Sequence, residues 1–261
     1  MSKHFICLLF VFNGGVNMDL LPGERIDDLQ RKLPDGTELK IIQNPNWFCF
    51  GIDAVLLSSF AEVKPNDKVM DLGTGTGIIP LLLAAKTNAG HIDALEIQKD
   101  VCEMATRSVK LNNLQDRIDI INADLVGYKT QVQYNVVTCN PPYKTADTGL
   151  TNPDDNLKIS RHEVCCNLSQ IINTASRILK PMGRFYMIHR PERMVDIMAE
   201  MRAQKLEPKR VRYIHSDMEK PPVMIMVEGR KCAKPHIITE PPLVIYNRDG
   251  SYTDEIIKIY N

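Results

Sequence analysis

The sequence predicts an α/β protein with a seven-stranded, mainly parallel sheet and a C-terminal antiparallel hairpin. From Lys68 onward, short apolar runs alternate with segments of helical periodicity, a pattern typical of a parallel sheet. The last part changes character, because only a polar turn with Pro221 and Pro222 separates the runs RVRYIHS and PVMIMVEGR. With 261 residues and 44% apolar content, the chain is long enough to bury one main core.

The individual elements follow from the apolar periodicity between residues 68 and 204. Strands are predicted at KVMDLG, HIDALEI, IDIINAD, YNVVTCN and RFYMIHR. Helices are predicted at IIPLLLAAK, at KDVCEMATRSVKLNN, from Glu163 to Leu179 and from Pro191 to about Gln204. The helix that begins at Glu163 is expected to stop near Pro181 and Gly183, which interrupt helical hydrogen bonding.

The chain divides into three predicted segments, residues 1–17, 18–66 and 67–261. The apolar run at residues 5–12 resembles a signal peptide, but spanning a bilayer takes about 20 apolar residues and no small-residue cleavage site follows. We therefore expect residues 1–17 to be an upstream extension or an edge strand. Residues 18–66 form a front segment that completes a ligand pocket, and residues 67–261 form the core with its terminal strands.

Charge and cysteine content exclude several function classes. The formal net charge is +0, so no global charge excess indicates a polyanionic partner. Seven cysteines without a CxxC pair indicate reduced thiols and a cytoplasmic protein. Since the apolar run at residues 5–12 is too short to span a bilayer, we expect no membrane segment. The cluster His162, Cys165 and Cys166 lacks a second ligand pair, and adjacent cysteines do not easily chelate one tetrahedral ion. We therefore expect no metal site.

The first candidate site is a glycine-rich strand–loop–helix unit. Its residues are Asp71, Gly73, Thr74, Gly75 and Gly77. Glycines allow a sharp turn and a close approach of the backbone to a ligand. The spacing is GxGxG, whereas a dinucleotide fingerprint needs a third glycine where Ile78 stands. An acid at Asp71 would repel a pyrophosphate but suits the ammonium of a methionine moiety. The loop therefore favours S-adenosylmethionine.

Two further acids follow the next two predicted strands. Glu96 lies about 20 residues beyond the loop, the separation at which an acidic side chain meets ribose hydroxyls. Asp124 is a candidate acceptor for the adenine amino group, and Ile97 offers an apolar face. Because the carboxyl ends of parallel strands form one ligand crevice, we expect these residues to line the same cleft as the loop.

The second candidate site is the tetrapeptide NPPY at the end of the fourth strand. Its residues are Asn140, Pro141, Pro142 and Tyr143. The order DLGTGTG, Glu96, Asp124, NPPY resembles the amino-methyltransferases that modify adenine, guanine or a glutamine side chain. This resemblance implies a Rossmann-like class I methyltransferase fold and S-adenosylmethionine as cofactor, with Asn140 at the meeting point of cofactor and acceptor.

The chemistry of that family accounts for the residue types in NPPY. An aryl amine or amide is a poor nucleophile because its lone pair is delocalised. The Asn140 side-chain oxygen and the Pro141 carbonyl can each accept one N–H, which orients the lone pair toward the methyl group. The two prolines stiffen the backbone, and Tyr143 offers a flat surface for stacking. No general base is required, since the proton can leave after transfer.

Other stretches resemble one branch, the bacterial tRNA(Val) adenine-37 N6-methyltransferases. They are FGIDAVLL, ISRHE, HRPER, KRVRYIHSDMEKPPVMIMVEGRK and PPLVIYNRDGSYTDEI. The resemblance covers nearly everything after Met18 and implies that a tRNA adenine is the methyl acceptor. The stretch from Arg193 to Lys234 contains ten Lys or Arg residues and six Asp or Glu residues, which gives it a local net charge of +4. The candidate RNA contacts are Arg161, Arg190, Arg193 and Arg212.

Three alternatives stay open on the sequence. N5-glutamine methylation of a protein such as a release factor uses the same tetrapeptide, although those enzymes usually carry a separate helical N-terminal domain. N2-guanine methylation of rRNA keeps the chemistry with another base. A catalytically idle RNA-binding scaffold is disfavoured by the intact Asn140 and Tyr143. The sequence does not indicate an oligomeric state.

Overall fold

A computed structural model describes residues 10–11, 20–47, 49–143 and 167–260. The helices are α1 (Ile52–Phe60), α2 (Ile78–Lys86), α3 (Lys99–Leu111), α4 (Leu168–Ile178), α5 (Met194–Ala203), which a 3₁₀ turn (Pro191–Arg193) precedes, and α6 (Asp254–Tyr260). The strands are β1 (Phe10–Val11), β2 (Arg25–Lys32), β3 (Glu38–Gln43), β4 (Lys68–Leu72), β5 (His91–Glu96), β6 (Ile118–Asn122), β7 (Tyr134–Cys139), β8 (Leu179–His189), β9 (Leu206–His215), β10 (Pro222–Lys231), β11 (Ile238–Thr239) and β12 (Leu243–Val244). None of the helices in these ranges is both long and apolar enough to cross a membrane.

The main sheet has the predicted architecture. Its order is β6-β5-β4-β7-β8-β10-β9, and the first five strands are parallel. β10 pairs antiparallel with both β8 and β9, which confirms the predicted C-terminal hairpin. Two short strands that the sequence analysis did not predict, β11 and β12, add to β9 and bring the sheet to nine strands.

The sheet is buried on both faces, which explains why its strands are continuous apolar runs. Successive side chains of a strand point to opposite faces. Val69 and Val136 join the cluster that packs against α1 and α2, whereas Met70 and Val137 join the cluster that packs against α4 and α5. Helices therefore cover both faces, and the free edge at the carboxyl ends of β4, β5 and β7 is left for a site.

The helix predicted from Glu163 to Leu179 begins only at Leu168 and ends at Ile178, one residue before its predicted end. Asn167 has extended backbone angles and caps α4, accepting the Gln170 N–H at 2.9 Å and donating its own N–H to the Gln170 side chain at 2.8 Å. Residues 163–166 lie outside the described part of the chain. At the other end Leu179 already belongs to β8, which continues through Pro181 and Gly183. Backbone pairing with β7 thus overrides the local proline and glycine signals.

The front segment forms a small sheet of its own that the sequence analysis did not predict. β2 and β3 pair antiparallel around a turn at Asp35 and Gly36, where Gly36 has a φ of +87°. An Asp-Gly pair between apolar runs is a hairpin signal and was available in the sequence. β1 pairs with β2 at its outer side, while the other residues of the segment 1–17 lie outside the described ranges. α1 follows the hairpin.

A buried ion pair attaches this front sheet to the core. Arg107 of α3 donates to both oxygens of Glu24, at 2.7 and 2.5 Å, and the Glu24 side chain is fully buried. Arg107 also pairs with Glu103 at 2.9 Å, but that carboxylate is 55% exposed. Since burial of an unpaired charge is costly, the two acids contribute differently to stability.

We expect Glu24→Gln to lower the free energy of unfolding by about 1 to 3 kcal/mol, because the Arg107 guanidinium loses its buried partner and keeps only the exposed Glu103. Glu103→Gln is the matched control, and its effect should stay within about 0.5 kcal/mol because that pair is solvated. Urea unfolding at constant m-value measures both. Equal effects of the two variants would contradict the assigned role of Glu24.

Candidate active site

The glycine loop lies at the carboxyl end of β4 in the conformation that its glycines permit. Gly73, Gly75 and Gly77 have φ values of +69°, +57° and +82°, in the region that residues with a Cβ rarely adopt. A Cβ at Gly77 would lie 3.3 Å from the Ala105 Cβ, so this glycine lets the loop pack on α3. A Cβ at Gly73 would meet nothing within 4 Å, so backbone at this position is open to a ligand.

Glu96 at the end of β5 holds the glycine loop in place through hydrogen bonds. One carboxylate oxygen accepts the Gly75 N–H and the other accepts the Gln98 N–H, each at 2.9 Å. The side chain is buried, yet each oxygen keeps a second lone pair. The structure therefore gives Glu96 a role in shaping the loop, and its expected bond to ribose hydroxyls stays a prediction.

Asp71 lies beneath the loop as a buried acid with one unsatisfied oxygen. Its Oδ1 accepts the Thr138 hydroxyl at 2.6 Å, and its Oδ2 has no hydrogen-bond partner among the described residues. Burial, reinforced by the nearby Glu96, raises the pKa of Asp71 to about 6, against the lowering effects of the Thr138 and Thr74 hydroxyls. The hydroxyls of Thr74 and Thr76 are likewise buried without a partner within the described ranges. One carboxylate oxygen and two hydroxyl groups in this place fit a cationic, hydrogen-bonding group such as the methionine end of S-adenosylmethionine.

The predicted adenine side of the pocket lies at the ends of β5 and β6. Ile97 is 41% exposed although it is a large apolar residue, which leaves a flat aliphatic surface beside Glu96. Asn122 donates to the carbonyls of Glu96 and Ile97 at 2.9 and 3.0 Å and so connects the two strand ends. Asp124 is exposed and accepts the Val126 N–H at 2.8 Å with one oxygen. Its proposed contact to the adenine amino group stays untested.

The tetrapeptide NPPY follows β7 at the same edge of the sheet. The Tyr143 hydroxyl donates to Asp53 Oδ2 at 2.9 Å and lies against the Asn140 side-chain oxygen. Asp53 in turn accepts the Ala54 N–H at 2.9 Å in the first turn of α1. Pro141 is buried, whereas Pro142 is exposed. The front segment therefore contributes Asp53 directly to the acceptor side of the site.

His189 and Arg190, at the end of β8, complete the surroundings of Tyr143. The rings of Tyr143 and His189 meet edge to face with centroids 5.5 Å apart, and the Arg190 guanidinium lies 5.8 Å from the Tyr143 centroid. Burial, with the positive charge of Arg193 nearby, lowers the pKa of His189 to about 4, so this imidazole is neutral at pH 7. Arg190 is exposed and can move aside when a planar group stacks on Tyr143.

Sequence reasoning missed two residues that the structure places in the site. The contact of Asp53 with Tyr143 joins residues 90 positions apart. Thr138 lies two residues before Asn140, and its bond to Asp71 joins β7 to β4. The sequence of β7 could have pointed to Thr138, because a polar residue inside an otherwise apolar buried strand needs a hydrogen-bond partner.

The predicted RNA-contacting arginines are not gathered at the site. Arg190 lies beside Tyr143, and Arg161 falls outside the described residues. Arg193 pairs with Asp196 at 2.7 Å, and Arg212 pairs with Glu255 at 2.8 Å while donating to the Pro241 carbonyl. Six of the ten basic residues in the stretch from 193 to 234 form ion pairs, namely Arg193, Arg202, Arg210, Arg212, Lys220 and Arg230. The local charge excess is therefore largely engaged within the protein.

Metal ligands are sparse in the described chain. His91, Asp93 and Asp119 bring three ligand atoms within 4.8 Å of one another at the amino end of β5, away from the tetrapeptide. The described cysteines are free thiols at Cys49, Cys102, Cys139 and Cys232. The cluster His162, Cys165 and Cys166 lies outside the described residues.

The strand order, the glycine loop over a buried acid and the tetrapeptide at the end of β7 define a Rossmann-like class I, S-adenosylmethionine-dependent methyltransferase. The family model of the methyltransferase small domain matches residues 38–209, and the chain belongs to this family. Its similarity to solved structures shows the same fold. A predicted O-methyltransferase from Agrobacterium tumefaciens has a TM-score of 0.65 at 22% identity, covering 80% of this chain and 95% of that one.

Further comparisons relate the chain to RNA-modifying enzymes. The tRNA1(Val) (adenine(37)-N6)-methyltransferase of Dyadobacter fermentans is 28% identical over 215 residues, which cover 80% of this chain and 88% of that protein. The enzyme of the same name from Phocaeicola vulgatus is 35% identical over 138 residues, 53% of this chain and 58% of that one. The T. thermophilus 16S rRNA N2 G1207 methyltransferase, solved with AdoMet and guanosine, has a TM-score of 0.57 at 15% identity, covering 82% of this chain and 52% of that one.

The raised pKa of Asp71 predicts that cofactor affinity depends on pH. Only the ionised carboxylate attracts a cation, and with a pKa of about 6 it is mostly protonated at low pH. Affinity for S-adenosylmethionine should therefore fall by about tenfold between pH 7 and pH 5. Equilibrium dialysis measures this change. Asp71→Asn should bind weakly with little pH dependence, and a wild-type affinity that is equal at both pH values would contradict the role of Asp71.

Asp53 is expected to act as a positioning residue for the tetrapeptide. Asp53→Asn removes the charged acceptor of the Tyr143 hydroxyl, so Asn140 loses its fixed geometry and kcat should fall roughly tenfold. Cofactor affinity should not change, because the glycine loop is untouched. Asp100→Asn, also in the first turn of a helix but exposed on α3, is the matched control. A loss of cofactor binding in Asp53→Asn, or unchanged kcat, contradicts this assignment.

Proposed function

We propose that the protein transfers a methyl group from S-adenosylmethionine to the exocyclic N6 of an adenine in tRNA, and specifically to adenine 37 of valine tRNA. The observation that carries the proposal is the placement of Asn140 and Pro141 beside the cofactor loop, joined to it by the hydrogen bond between Thr138 and Asp71. The names of the relatives support the choice of substrate.

The cofactor would occupy the open side of the glycine loop. S-adenosylmethionine supplies an electrophilic methyl group on a positively charged sulfur. The unsatisfied Asp71 oxygen and the Thr74 and Thr76 hydroxyls would hold the amino acid end, while Glu96 meets the ribose and Ile97 the adenine face. Asp124 remains the candidate acceptor for the adenine amino group.

Asn140 and Pro141 would prepare the acceptor nitrogen. Their oxygens accept the two N–H groups of the amino group, which aligns the nitrogen lone pair with the methyl carbon. When bound, the sulfonium would supply its methyl group to the aligned nitrogen with the thioether as leaving group, and the extra proton of the nitrogen would pass to solvent. The bond from Tyr143 to Asp53 holds the tetrapeptide in place. The Tyr143 hydroxyl has one proton, which it donates to Asp53, so the lone pairs of the Asn140 oxygen stay available to the substrate amino group.

The RNA side of the proposal involves Arg190 above all. This exposed guanidinium lies over Tyr143, where it can follow a stacked base or contact the neighbouring phosphate. Adenine 37 lies in an anticodon loop, where extruding a base costs little. A cytoplasmic location, in which tRNA and S-adenosylmethionine are both present, follows from this proposal.

The test is transfer of labelled methyl groups from S-adenosylmethionine to bulk tRNA, rRNA, DNA and a release factor in separate reactions. We expect label in N6-methyladenosine after digestion of the tRNA to nucleosides. Asn140→Ala should abolish transfer and leave cofactor affinity nearly intact, because its side chain acts on the acceptor.

Asn122→Ala is the control, since this amide connects the cofactor strands and does not contact the tetrapeptide. It should weaken cofactor binding and retain transfer at saturating cofactor. Label found only in the release factor, or only in N2-methylguanosine, would refute the adenine assignment. Loss of cofactor binding in Asn140→Ala would contradict its role on the acceptor.

A further inference from the structure

A cavity of about 600 Å³ lies at the amino edge of the sheet, opposite to the methyl-transfer site. α1 and α2 begin near the carboxyl edge, and their far ends contribute Ser58, Ser59 and Lys86 to the cavity wall. Lys258 of α6 and Arg31 of β2 close it from the other side. The tetrapeptide and the glycine loop do not contribute to this wall.

The wall of this cavity carries cations without counterions. Arg31, Lys64, Lys86 and Lys258 have no carboxylate of the described residues within 4.0 Å, the salt-bridge distance. The arginine that does have a partner is Arg184, which pairs with Asp67 at 2.6 Å.

The acids of the wall are engaged elsewhere. Glu62 pairs with Arg210 at 2.8 Å, and Glu255 pairs with Arg212 at 2.8 Å. Neither carboxylate pairs with the four cations, and the lining residues, with five basic side chains and two acids, carry a formal net charge of +3.

Lys86 is the most informative of these cations because it is half-buried. Its ammonium has a single polar neighbour in the described structure, the Ser58 hydroxyl at 3.4 Å, and that hydroxyl already donates to the Val55 carbonyl at 2.8 Å. Burial, together with the charge of Arg31, lowers the pKa of Lys86 to about 7. A partly buried lysine beside a second cation gives up its proton near neutral pH, and a bound anion would favour its charged form.

We propose that this cavity is a binding site for a phosphoryl group, held by Lys86 and Arg31 with Lys64 and Lys258 at the rim. A phosphate monoester or diester presents several acceptor oxygens to ammonium and guanidinium donors at once. The volume exceeds what a single carboxylate needs and suits a nucleotide or a stretch of nucleic acid backbone.

Two sources of the phosphoryl group share this chemistry, a small phosphorylated ligand and the backbone of an RNA. α1 has Asp53 near one end and Ser58 near the other, and its nine residues span roughly 13 Å at 1.5 Å per residue. An RNA whose base enters the methyl-transfer site can therefore reach the cavity with a phosphate a few nucleotides away. The site itself does not depend on which substrate is methylated.

The experiment titrates the full chain, without any methyl donor, with inorganic pyrophosphate and separately with a short single-stranded oligoribonucleotide. Lys86→Met and Lys258→Glu should each weaken pyrophosphate binding by about tenfold, the loss typical of one charged contact. Lys258 is exposed, so its variant tests the site without disturbing the core. Lys110→Glu, an exposed lysine on α3, is the control and should stay within about twofold.

The two arms identify the source of the phosphoryl group. An equal loss of oligoribonucleotide affinity in both cavity variants indicates the RNA backbone, whereas a loss for pyrophosphate alone indicates a small ligand. Wild-type protein that does not bind pyrophosphate overturns the proposal, as do cavity variants that bind it as tightly as the wild type. Since binding is measured without methyl transfer, a failure of tRNA methylation leaves this result interpretable.

Discussion

The hydrogen bond from Thr138 to Asp71 joins the two halves of the site. It connects adjacent parallel strands, one ending in the glycine loop and the other in NPPY. Its burial fixes the carboxylate and leaves Oδ2 as an unsatisfied acceptor below the loop. Because β4 and β7 are neighbours in register, the cofactor loop and Asn140 necessarily meet at one edge. The rest of the site is arranged around this contact.

Much of the fold could be predicted from the sequence, because the strands β4, β5, β7 and β8 are mostly buried on both faces and form clear apolar runs. The glycine loop and NPPY were predictable for the same reason, since both directly follow such strands. The two ends of α4 were not predictable, because a capping box decides the start at Asn167 and pairing with β7 decides the end before Leu179. The role of Asp53 was not predictable either, since its partner Tyr143 is 90 residues away and only the packed fold brings the two together.

The charges show a similar limit of sequence reasoning. A stretch with a local excess of Lys and Arg indicated an RNA surface, but side chains such as Arg193 and Arg212 pair with acids that the fold supplies. Cations without such partners among the described residues lie in another place, around Lys86 at the amino edge of the sheet. Counting charges along a chain cannot separate these cases, because pairing is decided by tertiary contacts.

The most direct measurement is a crystal structure of the protein with S-adenosylhomocysteine and the anticodon stem-loop of valine tRNA. The account predicts the exocyclic N6 of an adenine about 3 Å from both the Asn140 side-chain oxygen and the Pro141 carbonyl. It also predicts the cofactor amine against the unsatisfied oxygen of Asp71. An adenine amino group bound away from Asn140, or a cofactor seated away from the glycine loop, would contradict the account.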